Sequence, residues 1–235
     1  MSYSLSNSRA RFVSYSSQLL SVAKTTNKLP LGQFSYSYKN YIYQSIVVLL
    51  SSAIEEYHKT ILEDWFFRLR TASVTMDKIP VNSRMIGLLS VTEHHYKNFL
   101  YDREGEKDIL KMLAKQKDAM KKYVDDAEAF DHKRFGMIVL GKKKYPSTKN
   151  LDALYNRLGI PNIFNVLSKI RHKDFKTQLD SFLSVRESIA HEGAGAVTYD
   201  DVKNHISFLN ELIYLLDKEL YKNCCRVSGS AYWPK

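Results

Sequence analysis

The sequence has few of the residues that staple or interrupt small folds: two cysteines, five prolines and nine glycines in 235 residues. Cys224 and Cys225 are adjacent, and neighbouring cysteines do not easily form an unstrained disulfide. This excludes a disulfide framework and favours a reducing compartment. The scarcity of proline and glycine also argues against a loop-rich sandwich or a collagen-like chain.

Long apolar runs are lacking too. The longest unbroken run is Ile46–Leu50, far short of the roughly 20 residues that a membrane helix needs. The first residues, Met1–Ser4, contain no basic segment that leads into an apolar stretch, so we expect no secretory signal. We therefore predict a cytoplasmic protein that does not engage a membrane.

Positive charge is abundant. The chain carries 35 Lys and Arg against 25 Asp and Glu, a net charge of +10. This balance fits a nucleic-acid-binding protein, and it fits many ordinary basic proteins as well. A hydrophobic content of 44% and a charged content of 26% are close to the globular average, which excludes disorder throughout the chain.

The apolar residues recur at helical spacing almost throughout, which predicts an all-α fold. The strongest stripe runs from about residue 38 to 70 and contains Ile46, Leu50, Ile54, Tyr57, Ile61 and Trp65. Further helices are predicted over about 6–24, 81–101, 105–130, 149–158, 162–171, 174–190 and 199–221. We find no repeat and no split into two domains, so we interpret residues 1–235 as a single domain.

Three segments interrupt or close this pattern. Met137–Leu140 is predicted to be either a short strand or a buried turn, and Gly141–Pro146 an exposed basic loop. The last two helices are predicted to form an antiparallel hairpin. The second of these helices is predicted to begin at a capping box on Thr198. The tail, about 227–235, has no periodicity and is expected to be loose.

Most motifs that carry chemistry are missing. The sequence has no phosphate-binding glycine loop, no paired-cysteine metal motif and no HExxH, so we predict neither a cofactor nor a metal. One constellation remains, Arg186-Glu187-Ser188-Ile189-Ala190-His191, at the predicted end of a helix. Its spacing alone allows a purely structural interpretation, in which Arg186 bridges at the surface and His191 merely ends the helix.

The chemistry of these residues nevertheless suits an attack by a ribose 2′-hydroxyl on its own phosphodiester. His191 lies where the helix dipole favours imidazolium, and Glu187 lies four residues earlier on the same face. Both features suit a histidine that exchanges protons, while Arg186 offers a planar fork for a phosphate. Arg186 and His191 are about 140° apart around the helix, so they converge better across two chains than within one.

The segment Val185–Gly193 resembles the signature of the HEPN superfamily: an Arg, a polar residue, three further positions and a His, often followed closely by Gly. Ala53–Tyr57 is similar to the first core helix of that family, where an acidic residue is common. The resemblance covers about 40–70 and 147–222. The part that it leaves unmatched, about 81–146, has the character of a basic helical elaboration.

The resemblance implies an up-and-down bundle of four or five helices and a symmetric dimer whose composite cleft faces RNA. Active members of the family are metal-independent endoribonucleases that leave 2′,3′-cyclic phosphate and 5′-hydroxyl ends. Many act as toxins or antiviral effectors, which implies an antitoxin or a regulatory protein as a partner. Two positions depart from the family: Glu187 replaces the common Asn, Asp or His, and Gly193 replaces a Tyr that is adenylylated in one toxin branch.

We therefore expect His191 to act as general base or acid, Arg186 to clamp the phosphate and Glu187 to orient His191. Glu55 is expected to support the motif helix without touching the substrate. Two other interpretations stay open: a non-catalytic HEPN module that binds RNA, a nucleotide or a protein, and a purely structural dimerisation domain. Contacts to the RNA backbone are expected from three consecutive lysines, Lys142, Lys143 and Lys144.

Overall fold

The structure is a computed structural model, and it describes residues 2–30, 33–101, 106–141, 146–191 and 195–235. Within these ranges the chain is helical and has no β-strand beyond one isolated bridge between Thr75 and Ala129. The all-α prediction is confirmed. The helices are α1 (Asn7–Asn27), α2 (Gln33–Thr71), α3 (Val81–Tyr101), α4 (Glu106–Lys115), α5 (Lys117–Val124), α6 (Phe135–Leu140), α7 (Thr148–Arg157), α8 (Ile163–Arg171), α9 (Phe175–His191) and α10 (Tyr199–Val227).

Helix α2 is the axis of the bundle. It has 39 residues, and α1, α6, α9 and α10 all pack against it. Thr60 of α2 donates a 2.9 Å hydrogen bond to the Ser8 hydroxyl of α1. Tyr57, fully surrounded by the core, donates a 3.0 Å bond to Asp217 of α10. The apolar residues of α2 recur at both three- and four-residue steps, and this spacing gives the helix a wide face to bury.

The elaboration over 81–146 covers the C-terminal half of α2 through aromatic rings. Phe66 stacks on Trp65 at 5.3 Å between ring centroids and meets Phe135 edge-on at 5.0 Å. Arg84 of α3 is buried and donates a 2.9 Å bond to the carbonyl oxygen of Tyr123. Trp65, Phe66, Tyr123 and Phe135 belong to the same continuous apolar cluster as residues of α1, α9 and α10.

Residues 135–140 form the short helix α6, so the prediction of a strand or a buried turn over Met137–Leu140 is wrong. Gly136 permits this packing, because a Cβ atom there would lie 2.9 Å from the backbone of Leu62. The predicted helix over 105–130 is in fact two helices that meet at Gln116 and end at Val124. Beyond Val124 the chain pairs with the segment after α2, where Phe130 donates from its amide to the carbonyl of Val74.

The C-terminal tail is not loose, and that prediction is also wrong. Trp233 is completely buried and donates from its indole nitrogen to the carbonyl of Ser4, 2.9 Å away. The amide of Asn7 donates to Pro234, and the Arg68 guanidinium donates to the carbonyl oxygen of Lys235. The tail is held by the N-terminal residues and by α2, all distant in sequence, so the local periodicity of the tail does not predict its order.

The predicted hairpin of the last two helices is confirmed. Phe175 stacks on Phe208 at 6.2 Å and Phe182 meets His205 at 5.2 Å, so the two helices run antiparallel. Helix α10 starts at the predicted capping box, in which Asp201 donates from its amide to the Thr198 hydroxyl and accepts from the Thr198 amide. The hairpin fixes where α9 ends, and therefore where the motif lies.

Candidate functional site

Helix α9 carries a buried stripe that leads into the motif. Phe175, Leu179 and Phe182 are fully buried against the rest of the bundle. Arg186 follows four residues after Phe182 and therefore lies on nearly the same face, one turn nearer the helix end. Its side chain is partly buried. The stripe thus ends in a guanidinium at the edge of the core.

Arg186 differs from every other described arginine that is partly or fully buried. Within the part of the chain that the structure describes, it has no hydrogen bond, ion pair or ring contact. Each of the others has a partner of some kind: Arg9 with Tyr3, Arg68 with Lys235, Arg70 with Phe67, Arg84 with Asp126 and Arg157 with Val139. Withdrawing a charge from water without a counter-group is costly, so Arg186 stands apart from the other described arginines.

His191 and Glu187 lie on the solvent-facing side of α9. Both are exposed, and His191 is the last residue of the helix, as predicted. Glu187 is one turn back on the same face, within reach of the imidazole. The two side chains share this exposed face, and no hydrogen bond or ion pair joins them in the structure.

Within one chain, Arg186 points in a different direction from Glu187 and His191. Five residues of α-helix separate Arg186 from His191, about 140° around the axis and about 7.5 Å along it. Arg186 faces the core edge and His191 faces solvent. One protomer therefore presents the two groups as neighbours on the helix end rather than as a converged pair.

The loop that follows the motif is anchored to the N-terminal half of α2. Asn40 accepts a 2.8 Å hydrogen bond from the amide of Val197 through its side-chain oxygen. Gln44, one turn further on, donates to the carbonyl of Gly195 at 3.5 Å. These contacts place the start of α2 beside the end of α9. Gly193 itself lies outside the described residues.

The structure locates Glu55 but says nothing of the three lysines. Glu55 is exposed on α2, eleven residues beyond Gln44, or about 16 Å further along the helix. Its supporting role therefore remains a prediction. Lys142, Lys143 and Lys144 lie outside the described residues, so their contacts with RNA also remain a prediction.

Two side chains near the motif were missed by sequence reasoning. His205 of α10 packs on Phe182, and its burial lowers the pKa, an effect that the charge of Asp201 opposes. Tyr43 of α2 is buried, and its hydroxyl has no hydrogen-bond partner among the described residues. Burial, and then the neighbouring Tyr199, raises the pKa of Tyr43. Nothing in the spacing of either residue distinguishes it from an ordinary core position.

The described residues contain no cluster of three or more His, Cys, Asp or Glu side chains that could hold a metal ion. No helix in the described ranges is both long enough and apolar enough to cross a bilayer. Comparison with curated proteins and with solved structures gave no match. A family model described as RiboL-PSP-HEPN matches residues 13–222, which is most of the chain and includes both α2 and the whole of the motif. This protein therefore belongs to the RiboL-PSP-HEPN family, within the HEPN superfamily that the motif at the end of α9 predicts.

Proposed function

We propose that the protein is a metal-independent endoribonuclease whose site is built on Arg186, Glu187 and His191. Membership of the HEPN family indicates an RNase-type or RNA-binding module. The observation that carries the finer assignment is Arg186, a partly buried guanidinium that has no partner among the described residues. A planar cation of this kind is suited to hold a phosphodiester through two parallel hydrogen bonds.

The reaction needs one group that moves protons and one that stabilises charge. His191 takes the proton from a ribose 2′-hydroxyl, and the 2′-oxygen then attacks the adjacent phosphorus. The bond from phosphorus to the 5′-oxygen breaks, and an imidazolium returns a proton to that oxygen. Arg186 stabilises the negative charge that develops on the non-bridging oxygens. The products are a 2′,3′-cyclic phosphate and a 5′-hydroxyl, and Glu187 keeps the imidazole oriented throughout.

The proposed enzyme acts as a symmetric homodimer. The angle between Arg186 and His191 on α9 separates them within one protomer, whereas a two-fold axis near the helix end brings the Arg of one copy toward the His of the other. The single composite cleft then holds both copies of Arg186 for the phosphate and one copy of His191 on either side of it. In this arrangement the dimer is needed for catalysis, because one protomer alone does not bring Arg186 and His191 together.

We further propose a cytoplasmic toxin or antiviral effector that an antitoxin or regulatory protein controls. Glu55 supports α9 from α2, and Lys142, Lys143 and Lys144 contact the RNA backbone. The second candidate function is a non-catalytic HEPN module that binds RNA, a nucleotide or a protein. Glu187 favours the protein-binding form of this module, because a carboxylate beside Arg186 opposes the binding of a phosphodiester.

Cleavage of total RNA in excess EDTA tests the proposal. Wild type should cut, and His191→Ala and Arg186→Ala should each lose at least about a hundredfold in rate. His172→Asn is the matched control, since His172 is an exposed histidine at the end of α8 and should leave the rate unchanged. The non-catalytic module would be supported instead if wild type bound RNA without cutting it and the two Ala variants bound RNA with the same affinity as wild type.

A further inference from the structure

The first helix and the first half of the second form a region without acidic residues. Residues 1–54 contain five Lys and Arg and no Asp or Glu; Glu55 is the first acidic residue of the chain. Less than a quarter of the sequence thus carries half of the net charge of +10. A basic region with no acidic side chain attracts a polyanion and offers it no repulsion at close range.

This region exposes tyrosine rings on α2. Tyr38 is 49% exposed and Tyr41 is 66% exposed. They are three residues apart on one helix, so their side chains are neighbours on its surface. Neither ring stacks on another aromatic group within the described residues. Two adjacent tyrosines with this much exposed surface are available to a ligand with flat faces.

Hydrogen bonds place these rings next to the motif. Gln44 is three residues beyond Tyr41 on the same ridge of α2, and it donates to the carbonyl of Gly195 in the loop after α9. The ridge therefore runs from Tyr38 through Tyr41 and Gln44 to the loop that follows His191. A ligand lying on the rings would next meet Gln44, which contacts Gly195, four residues after His191.

A lysine lies at the other end of the ridge. Lys39 donates 3.1 and 2.8 Å hydrogen bonds to the carbonyls of Asn27 and Leu29, which hold the end of α1 against α2. Lys28, between those two residues, is exposed. The rings of Tyr38 and Tyr41 thus lie between an exposed cation and the motif loop, an arrangement that suits a strand with charged phosphates and flat bases.

We propose that Tyr38 and Tyr41 form a stacking platform for unpaired bases and thereby select single-stranded RNA as the substrate. The inference rests on the proposed function for its choice of RNA. Bases in a duplex are already stacked inside the helix, whereas bases of a single strand are free to lie on tyrosine rings. Lys28 holds the backbone at one end, and the strand crosses Gln44 to reach Arg186 and His191.

Binding of a fluorescent, unstructured RNA to the His191→Ala protein tests the platform without cleavage. In that background, Tyr38→Ala with Tyr41→Ala should weaken binding at least about tenfold, and the two Tyr→Phe changes should keep it within about twofold. The salt dependence should stay unchanged, because stacking releases no counterions. The matched control is Phe67→Ala, which removes a ring that is 58% exposed on the far end of the same helix and should bind as the parent does.

Two further measurements separate the outcomes. A duplex of the same sequence should bind the parent and the Ala variant equally. Unchanged binding of the single strand by the Ala variant would overturn the platform. Equal losses of binding in the Ala and Phe variants, with an altered oligomeric state by sedimentation, would also overturn it and would assign the ridge to a protein contact. If wild type cuts no RNA but the rings still govern binding, the proposed reaction fails while the platform stands.

Discussion

The side-chain oxygen of Asn40 accepts a 2.8 Å hydrogen bond from the backbone amide of Val197 and so ties α2 to the loop that follows α9. The loop continues into the capping box at Thr198, and α10 begins there. The end of the motif helix is therefore bracketed by one side chain on α2 and one N-cap on α10. This bracket holds Val197 and Thr198, six and seven residues after His191.

Loss of the Asn40 contact should impair activity more than stability. Asn40→Ala leaves the Val197 amide without its acceptor, which should cost about 1 kcal/mol of unfolding free energy and lower the cleavage rate several-fold as the loop loosens. Steady-state cleavage and urea unfolding on the same samples measure both quantities. Asn40→Asp keeps an acceptor oxygen and should stay close to wild type; equal damage from both changes would argue against the bracket.

Arg186 should limit stability. Arg186→Met removes a partly buried charge that has no partner among the described residues and keeps a long apolar stem. We expect the unfolding free energy to stay unchanged or to rise by up to about 2 kcal/mol, and the melting temperature to follow it. Cleavage should be abolished. Thermal unfolding and cleavage by one preparation check both. A loss of stability above about 2 kcal/mol would show that Arg186 holds the fold instead.

Stability should fall as the pH drops from about 6.5 to 4 because of His58. Burial lowers the pKa of His58 to about 4, against which its bond to the Ile54 carbonyl acts only partly. Below pH 6.5 the unfolded chain takes up a proton that the folded chain refuses, so unfolding is favoured by up to about 1.4 kcal/mol per pH unit. Above pH 6.5 both states are neutral at this position and the effect is absent.

Urea unfolding at several pH values measures this slope. His58→Gln should reduce the slope by about one proton, whatever its effect on stability at pH 7. His132 and His205, whose pKa values burial also lowers, should retain a smaller slope of the same sign. His172→Asn, at an exposed site, should leave the profile unchanged; a His58→Gln profile as steep as wild type would contradict the assignment.

Asp217 should be among the most sensitive positions of the fold. It is completely buried and accepts from the hydroxyls of Tyr3, Ser6 and Tyr57 and from the amide of Ser6. Asp217→Ala leaves these buried donors without an acceptor and should cost more than about 3 kcal/mol. Tyr3→Phe removes one donor and should cost about 1 kcal/mol in the same urea titration. Similar costs for the two variants would mean that the donors find other partners.

Sequence reasoning succeeded where the determining forces are local. The Thr198 cap starts α10 where the sequence predicts it. The Ser147 cap and Gly159, whose φ is +83°, bound α7 close to the predicted range of 149–158. It failed at Trp233, because the partner of that ring, Ser4, is more than 200 residues away in sequence. It failed at α6 because the helix depends on the close approach that Gly136 allows against α2.

The candidate site divides in the same way. The position of His191 in the last turn of α9 follows from helical periodicity and was predictable. The lack of a partner for Arg186 within the described residues was not, because it depends on which side chains the tertiary fold brings near. The nearness of Tyr41 to the motif loop likewise depends on contacts across the bundle, those of Asn40 and Gln44.

The measurement that tests the central claim most directly uses one short RNA and the same RNA with a single 2′-deoxy nucleotide at the mapped cut site. With excess EDTA present, wild type should cut the all-RNA strand to a 2′,3′-cyclic phosphate and a 5′-hydroxyl, identified by mass. It should leave the 2′-deoxy strand intact, and His191→Ala should cut neither. Cleavage of the 2′-deoxy strand at the same position, or undiminished cutting by His191→Ala, would contradict the account.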